Sequence, residues 1–336
     1  MAWESDTTGA ASTRAPTGWA RVLGEVAAML LVFAAAGAWP VPDVNETAYL
    51  TKARHGADPA WCRGDFFLET PEAHGVFYLF VGPLAATLTL EQTAWIGRWL
   101  GWTALACGFR HATVPLLAGP WPRVVAAALF SLALRHTTAA GEWVVGGCEA
   151  KVFAWALVLA ACGEIGWSRF PLAWLMLGAA TAIHPIVGGW GLVALLMMRC
   201  SMPWRGRDGD RSSRHAANPL FAGGFVAAGL LLAAVGIVPA LGLSAGADAV
   251  TRAVAAKIYV VERLSHHLLA RTFADGMVAR HVLAILLWWC LHAVRTNASP
   301  SERAARGRVD RFVVASLGLS LAGVAISLLE AEIGRA

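Results

Sequence analysis

Long apolar stretches recur along this chain, and they constrain its fold more than any other feature. Stretches near 20 residues with few charges match the length of an α-helix that crosses a bilayer. Hydrophobic residues make up 57 % of the 336 residues and charged residues only 15 %, whereas a soluble domain carries about 25 % charged residues. The sequence therefore predicts an all-α, polytopic helical transmembrane bundle, formed as a single domain by residues 18–336 after a disordered polar leader at 1–17.

The apolar stretches define about nine predicted crossings. They lie at about 22–39, 94–113, 121–138, 151–168, 170–184, 186–199, 218–242, 280–295 and 312–329. The first stretch has two interpretations: an uncleaved helix, which we prefer because many spans follow it, or a signal peptide with a small-residue cleavage site near Ala36 to Ala38. A further apolar stretch at about 73–90 is interpreted as a helix in the membrane interface, because the predicted orientation requires that it does not cross.

Basic residues set the predicted orientation, because short cytoplasmic loops of membrane proteins are rich in Lys and Arg. The loops at about 199–217 and 295–311 each hold five arginines against two acids, so both are predicted to be cytoplasmic, together with the N-terminus. The same arginines do not predict a nucleic-acid partner, since this charge asymmetry is typical of membrane proteins. The predicted exterior loops are about 41–93, which begins acid-rich, 138–150 and 243–280.

Polar residues cluster in these predicted exterior segments. The first cluster consists of Asp43, Asn45, Glu46, Tyr49 and Lys52. Asp43 and Glu46 stand three residues apart, as in a capping box that starts a short helix. That local role is one interpretation of the two carboxylates. A binding or catalytic role is the other, because exterior loops of this length are usually functional.

Four more candidates have both a structural and a functional interpretation. His74 starts the stretch at 73–90 and is either an interfacial histidine or part of a site. Arg98 either extends its charge to the membrane surface or contacts a phosphate. Glu149, two residues before Lys151, either complements the dipole of the next helix or faces a site. The pair His184-Pro185 interrupts a long apolar run, and such a break is tolerated only inside protein or at a cavity, so we predict a role for His184.

The last cluster runs from Lys257 to Arg271 and contains Arg263, His266 and His267. Adjacent histidines point about 100° apart on a helix, so they do not form a metal-ligating pair. The cluster is interpreted as an anion site or as a solvated face. The six cysteines lack metal spacing, although Cys62 and Cys148 both fall on the predicted exterior side, which is compatible with a disulfide. The sequence predicts no metal site and no particular cofactor, and it leaves a divalent cation open.

The order of these features resembles the GT-C superfamily of membrane glycosyltransferases, which includes protein O-mannosyltransferases and oligosaccharyltransferases. The shared order is a first helix, an acidic exterior loop with a short interfacial helix, an Arg-initiated second span, a second acidic loop and a broken helix pair. The string Asn45-Glu46-x-x-Tyr49-Leu-x-x-Ala53 resembles the Asp-Glu-x-x-Tyr-x-x-x-Ala string of members that use polyprenol-phosphate sugars. Arg263-Leu-Ser-His266-His267-Leu resembles an Arg-x-Pro-His-His motif of uncharacterised bacterial polytopic proteins.

The resemblance covers about 40–270 and implies a function. A sugar would pass from a polyprenyl-phosphate donor to an acceptor at the exterior face of the inner (cytoplasmic) membrane, so the implied partners are that donor and membrane lipid. Glu46 or Asp43 would act as general base, and cationic groups would stabilise the leaving phosphate. The implied substrate-binding residues are Asn45, Tyr49, Lys52, His74, Arg98, Glu149, Lys151, His184, Arg263, His266 and His267.

Two departures from the family leave alternatives open. Asn45 stands where the family has its first acid, and the chain ends soon after its last predicted span, where many members continue. A truncated product and a relative that has lost the activity both fit this second departure. A non-catalytic lipid- or polymer-handling protein is the main alternative function. A small-solute transporter is the third, and it is disfavoured because the span centres hold few charges.

Overall fold

The computed structural model describes residues 18–137, 143–201, 219–294 and 299–333. Within these ranges the regular structure is entirely helical, which confirms the all-α part of the predicted fold class. The helices are α1 (Gly18–Gly37), α2 (Glu46–Ala57), α3 (Gly75–Thr87), α4 (Leu90–Thr113), α5 (Pro120–Thr137), α6 (Ala150–Gly166), α7 (Phe170–Ile183), α8 (Pro185–Ser201), α9 (Pro219–Gly242), α10 (Ala249–Lys257), α11 (Ser265–Leu268), α12 (Asp275–Val294) and α13 (Pro300–Ile333). A π-helical turn at Ile258–Arg263 and a 3-10 turn at Ala270–Thr272 lie between α10 and α12. The leader at 1–17 and most of the loop at 199–217 fall outside the described residues.

Four of the described helices, α1, α9, α12 and α13, are long and apolar enough to cross a membrane. The helices α3, α7 and α8 are also apolar but shorter. The predicted membrane character therefore agrees with the described part of the chain. The count of about nine crossings and the predicted orientation stay predictions.

The helices pack around apolar cores that share α6. One core joins α6 to α7, α8 and α13 through Leu177 and Leu195. Another joins α6 to α1, α4 and α5 through Phe33 and Trp102. Helices approach closely where small residues face a neighbouring backbone, an arrangement typical of packing inside membranes. In α4, for example, a Cβ atom added to Gly108 would lie 2.3 Å from the carbonyl oxygen of Ala156. Because α6 is central, its first residues lie among several other elements.

The predicted helix break at His184 is present. Helix α7 ends at Ile183, α8 begins at Pro185, and His184 between them has an extended backbone with φ −141° and ψ 98°. Proline disfavours the α-helical backbone for the residue before it, and its fixed φ suits the first position of a new helix. The local sequence therefore accounts for the break.

Two adjacent glycines in α8 provide a test of how tightly the broken pair packs. A Cβ atom on Gly188 would lie 2.0 Å from the backbone nitrogen of Thr181 in α7, whereas a Cβ atom on Gly189 would meet no atom within 4 Å. We expect Gly188→Ala to lower the free energy of unfolding by about 1–3 kcal/mol, because it overpacks a backbone contact. We expect Gly189→Ala to be neutral or stabilising by up to about 1 kcal/mol, since alanine favours the helix. Unfolding by SDS in mixed micelles measures both, and equal effects of the two variants would contradict this packing.

Candidate functional site

A buried ion pair between α2 and α4 lies at the base of the candidate site. Glu46 is the first residue of α2, and Arg98 lies in the first half of α4. The Nε and Nη2 atoms of Arg98 lie 2.7 and 2.6 Å from the two carboxylate oxygens of Glu46. Both side chains are 0 % exposed. Arg98 therefore acts here as an internal partner of Glu46, neither reaching the surface nor standing free for a phosphate.

The carboxylate of Glu46 is also held by the backbone. The N–H groups of Cys148 and Asp43 donate to it over 2.6 and 2.8 Å. Burial alone would raise the pKa of Glu46, but the hydrogen bonds from Arg98, Asp43 and Cys148, together with the charge of Arg98, lower it overall. Glu46 is thus an ionised anchor with both oxygens occupied. A role as general base would require this ion pair to open first.

The bond from Asp43 to Glu46 is half of the predicted capping box. The side chain of Glu46 reaches back to the N–H of Asp43, and the predicted short helix is present, but it begins at Glu46 with Asn45 as its N-cap. The side chain of Asp43 instead accepts from the N–H of Val44 over 2.8 Å. The local interpretation of this carboxylate pair is therefore supported for Glu46. Asp43 itself is half-buried, at the edge of a neighbouring groove.

A second carboxylate, Glu149, has a different environment. It precedes the first residue of α6 and is 0 % exposed. Its neighbours are the side-chain nitrogens of Asn45 at 3.4 Å, Trp143 at 3.3 Å and Lys151 at 3.4 Å. Burial raises the pKa of Glu149, although Lys151, Asn45 and Trp143 act to lower it. Two nearby carboxyl groups whose pKa values are shifted in opposite directions are a typical arrangement for acid–base chemistry.

Aromatic and histidine side chains form a third group beside these carboxylates. The hydroxyl group of Tyr49 lies 3.4 Å from Nε2 of His74, and Nδ1 of His74 lies 3.3 Å from the carbonyl oxygen of Ile183. The rings of His74 and His184 are 4.7 Å apart between centroids. Burial lowers the pKa of His74, although its hydrogen bond to Ile183 raises it. Two protonated rings at this separation would repel one another, so at least one of the two histidines is neutral.

These three groups meet at one end of the helical bundle. Asn45 and Tyr49 lie one helical turn apart at the start of α2 and contact Glu149 and His74, respectively. Phe153 in α6 packs on Phe77 in α3 with a centroid distance of 6.0 Å. Lys151 lies in the first turn of α6, beside Glu149, and the ring of His184 lies beside the ring of His74. The structure thus brings together six predicted site residues: Asn45, Tyr49, His74, Glu149, Lys151 and His184.

Lys52 is engaged by the loop that follows α2. Its ammonium group forms an ion pair with Glu72 and donates to the hydroxyl of Thr70 over 2.6 Å. It also lies 4.4 Å from the ring centroid of Phe67. Burial lowers the pKa of Lys52, while the charge of Asp65 raises it. Lys52 therefore holds this loop against α2, and a phosphate would have to displace Glu72 to reach it.

The predicted cationic cluster has mainly local contacts. Arg263 and His266 are exposed, and His267 stacks on His266 with a centroid distance of 3.9 Å. The main contacts of this segment are within itself and with α13. The prediction that Arg263, His266 and His267 join the first clusters in one site therefore finds no support in the described contacts.

An open apolar groove borders the site. It has a volume of about 580 Å³ and lies between the end of α1 and α5. Its lining includes Trp39, Leu134, Val144 and Trp143, with Asp43 and Arg135 as charged members. Trp143 connects groove and site, since it lines the groove and its indole N–H donates to Glu149. Trp143 was not among the predicted site residues, and its only sequence signal was its position within the second acidic loop.

A second polar network, also missed, lies at the other ends of α4 and α6. Glu25 of α1 pairs with Arg110 at 3.0 Å and with Arg123 at 3.1 Å. Glu164 in the last turn of α6 lies 2.7 Å from Nε2 of His111. A single acid inside an apolar stretch, such as Glu25, is itself a signal of a buried partner or a function.

Within the described ranges, no group of three or more His, Cys, Asp or Glu side chains could hold a metal ion. Cys62 and Cys148 are both free thiols, so they do not form the disulfide that the sequence allowed. The comparisons with known proteins add no assignment. No protein-family model, no curated protein and no solved structure matches this chain.

Proposed function

We propose that this chain is a multi-pass protein of the inner membrane that transfers a sugar from a polyprenyl-phosphate donor to an acceptor at the exterior face. One observation carries the proposal. A buried carboxyl group with a raised pKa, Glu149, lies beside a buried cation, Lys151, next to an apolar groove. A base, an anion-binding group and a surface for a lipid chain are what such a transfer requires.

Glu149 is a better candidate for the general base than Glu46 or Asp43. Glu46 is held by Arg98 and by two backbone N–H groups, whereas the contacts to Glu149 are longer and come from side chains that can rotate away. A raised pKa also makes its carboxylate a stronger base than an ordinary one. In the proposed step, Glu149 takes the proton of the acceptor hydroxyl as that oxygen bonds to the anomeric carbon. The bond from the anomeric carbon to phosphate breaks, and polyprenyl phosphate leaves with the electron pair.

Lys151 is the proposed partner of the leaving phosphate. It lies 3.4 Å from Glu149, and its Nζ stands 3.7 Å from the ring centroid of Trp143. Trp143 also lines the groove, so the cation lies next to a residue of the surface proposed for the apolar chain of the donor. Asn45, Tyr49, His74 and His184 then bind the sugar or the acceptor through their polar groups. Glu46, Arg98 and Lys52 hold the first exterior loop in place.

A non-catalytic lipid-handling protein is the alternative that a specific observation favours. Arg98 and Lys52, two of the predicted substrate-binding cations, form ion pairs with acids of the chain itself. A protein that only binds and presents a prenyl phosphate needs the groove and Lys151, but it needs no base.

Turnover of defined donors distinguishes a sugar transferase from a non-catalytic lipid-handling protein. The full chain, reconstituted in nanodiscs, is incubated with polyprenyl-phosphate sugars labelled in the sugar, and release of polyprenyl phosphate is followed with a panel of hydroxyl acceptors. We expect acceptor-dependent release for one donor. If donors bind but no polyprenyl phosphate is released, the non-catalytic alternative is favoured. If no donor binds and none is turned over, both the transferase and the lipid-handling function are excluded.

Binding of polyprenyl phosphate tests the role of Lys151 separately. We expect Lys151→Met to weaken this binding by about tenfold or more, because a hydrogen bond to a charged group contributes about 1.5–3 kcal/mol. Arg303→Met is the control, since Arg303 is exposed on α13 and belongs neither to the site nor to the groove. Microscale thermophoresis in neutral detergent measures the affinity of each variant for polyprenyl phosphate. Equal affinities of the two variants would remove Lys151 from the phosphate site.

A further inference from the structure

The segment between α9 and α12 exposes an apolar stripe. Val250, Val254 and Ile258 follow one another at intervals of four residues, so they lie along one side of α10 and of the turn after it. Their exposed fractions are between 41 and 74 %. Single exposed apolar residues are ordinary, but a continuous stripe on a helix indicates a surface that another apolar phase covers.

Cationic side chains accompany this stripe. Arg252, Lys257, Arg263 and Arg271 are all exposed. The acids of the segment are Asp248 and Glu262, and Asp248 is engaged as the N-cap of α10, where it accepts from the N–H of Thr251 over 2.8 Å. The segment therefore combines an apolar stripe with an excess of positive charge, which is complementary to a surface that is apolar inside and anionic at its edge.

The two neighbouring helices place this segment at a membrane surface. Both α9 and α12 are candidate spans, and they follow one another along the chain, so the residues between them lie on one face of the bilayer. The segment is tied down near its end, where the N–H of Ala270 donates to the hydroxyl of Ser327 in α13 over 3.1 Å. Because the apolar stripe is held at the bilayer surface at both ends, lipid is the nearest apolar phase that can cover it.

We propose that the segment from Asp248 to Thr272 lies in the headgroup layer and binds anionic phospholipid headgroups. Val250, Val254 and Ile258 face the acyl boundary. Lys257 and the arginines contact headgroup phosphates, for which the planar guanidinium group is well suited. This inference is independent of sugar transfer, and it gives a role to a cluster that lies outside the candidate site.

A fluorophore at one position of the stripe tests the proposal in the full chain. The six cysteines are replaced by serine, and Val254→Cys carries an environment-sensitive label. In phosphatidylcholine vesicles that contain phosphatidylglycerol, we expect protection of the label from aqueous iodide and quenching by lipid-borne quenchers. In neutral detergent micelles, we expect phosphatidylglycerol to change the emission of the label at much lower concentration than phosphatidylcholine does.

A charge-matched pair of variants makes the test specific. Arg252→Gln with Arg263→Gln is expected to weaken the response to phosphatidylglycerol on the order of tenfold. Arg303→Gln with Arg311→Gln removes the same charge from exposed positions of α13, and it is expected to leave the response at Val254 unchanged. Monodisperse elution of each variant shows that the fold is intact. A label that stays open to iodide in these vesicles would show the segment to be a solvated face. A label that responds equally to both lipids would show that the segment has no preference for anionic headgroups, and either result would overturn the proposal.

Discussion

Replacing Glu149 by Gln is expected to lower the rate of sugar transfer by about 10²–10⁴-fold, the usual contribution of a positioned general base. Glutamine keeps the size of the side chain and its oxygen acceptor, but it cannot take a proton at neutral pH. The hydrogen bonds from Asn45 and Trp143 to an oxygen at this position can persist. Binding of polyprenyl phosphate should therefore change little while turnover falls. The measurement is single-turnover release of polyprenyl phosphate in nanodiscs, together with donor affinity.

Glu164→Gln is the matched control for this prediction. Both glutamates belong to the region of α6 and are buried, but Glu164 lies in the last turn, beside His111. We expect its replacement to leave the transfer rate within about a few-fold of the unaltered chain, since it touches no residue of the site. The rate of the unaltered chain should also rise with pH through the pKa of Glu149, above its ordinary value of 4.5, because only the ionised form accepts a proton. Equal loss of rate in both variants would contradict the base assignment.

Replacing Arg98 by Ala is expected to lower the free energy of unfolding by about 3–5 kcal/mol. The change removes both bonds from the guanidinium group to Glu46 and leaves a carboxylate buried without its counter-charge. It also removes the donor to the backbone carbonyl of Pro40, which helps to hold the segment that leads into α2. SDS titration in mixed micelles measures the effect.

Two further variants test whether the unpaired charge of Glu46, and not the loss of an arginine side chain as such, causes the destabilisation by Arg98→Ala. Combining Glu46→Gln with Arg98→Met removes both charges, so it is expected to be less destabilising than Arg98→Ala alone. Arg135→Ala serves as the control at an exposed position of α5 and should cost less than about 1 kcal/mol. If Arg98→Ala were as mild as Arg135→Ala, the ion pair would not anchor α2, and Glu46 would regain its candidacy as the base.

Most helices of this chain could be located from local patterns. The predicted stretch at 94–113 corresponds to α4 (Leu90–Thr113), and the break at His184 follows from Pro185. The largest error in length is at the last helix, predicted at 312–329 but observed as α13 (Pro300–Ile333). Hydropathy measures the apolar stretch and not the helix, so it overlooks polar first turns. Ser299 and Glu302 form a capping box whose side chains lie 3.2 and 2.9 Å from backbone N–H groups, and this pattern was readable in the sequence.

The candidate site was predictable only in part. Asn45, Tyr49, His74, Glu149, Lys151 and His184 were identified because polar residues are unusual at the edges of apolar stretches, where each needs a partner or a function. Their partners were not identified. Glu46 pairs with Arg98 across 52 positions of the chain, and Asn45 contacts Glu149 across 104. A short-range pattern such as a capping box carries no information on contacts of that separation.

The sequence by itself determined where most of the long helices lie, where the chain breaks at His184 and which polar residues stand apart from the apolar background. These properties depend on neighbours within a few residues, through backbone propensity, capping and hydropathy. Only the tertiary structure decided which partner each charged side chain has. Arg98 forms an ion pair with Glu46, and Lys52 forms one with Glu72. Glu149 lies beside Lys151, with longer contacts than those of Glu46. The main contacts of the segment around Arg263 are within itself and with α13, and these too exist only in the packed structure. The pKa and availability of a side chain depend on burial and on distant charges, and these exist only once the helices have packed.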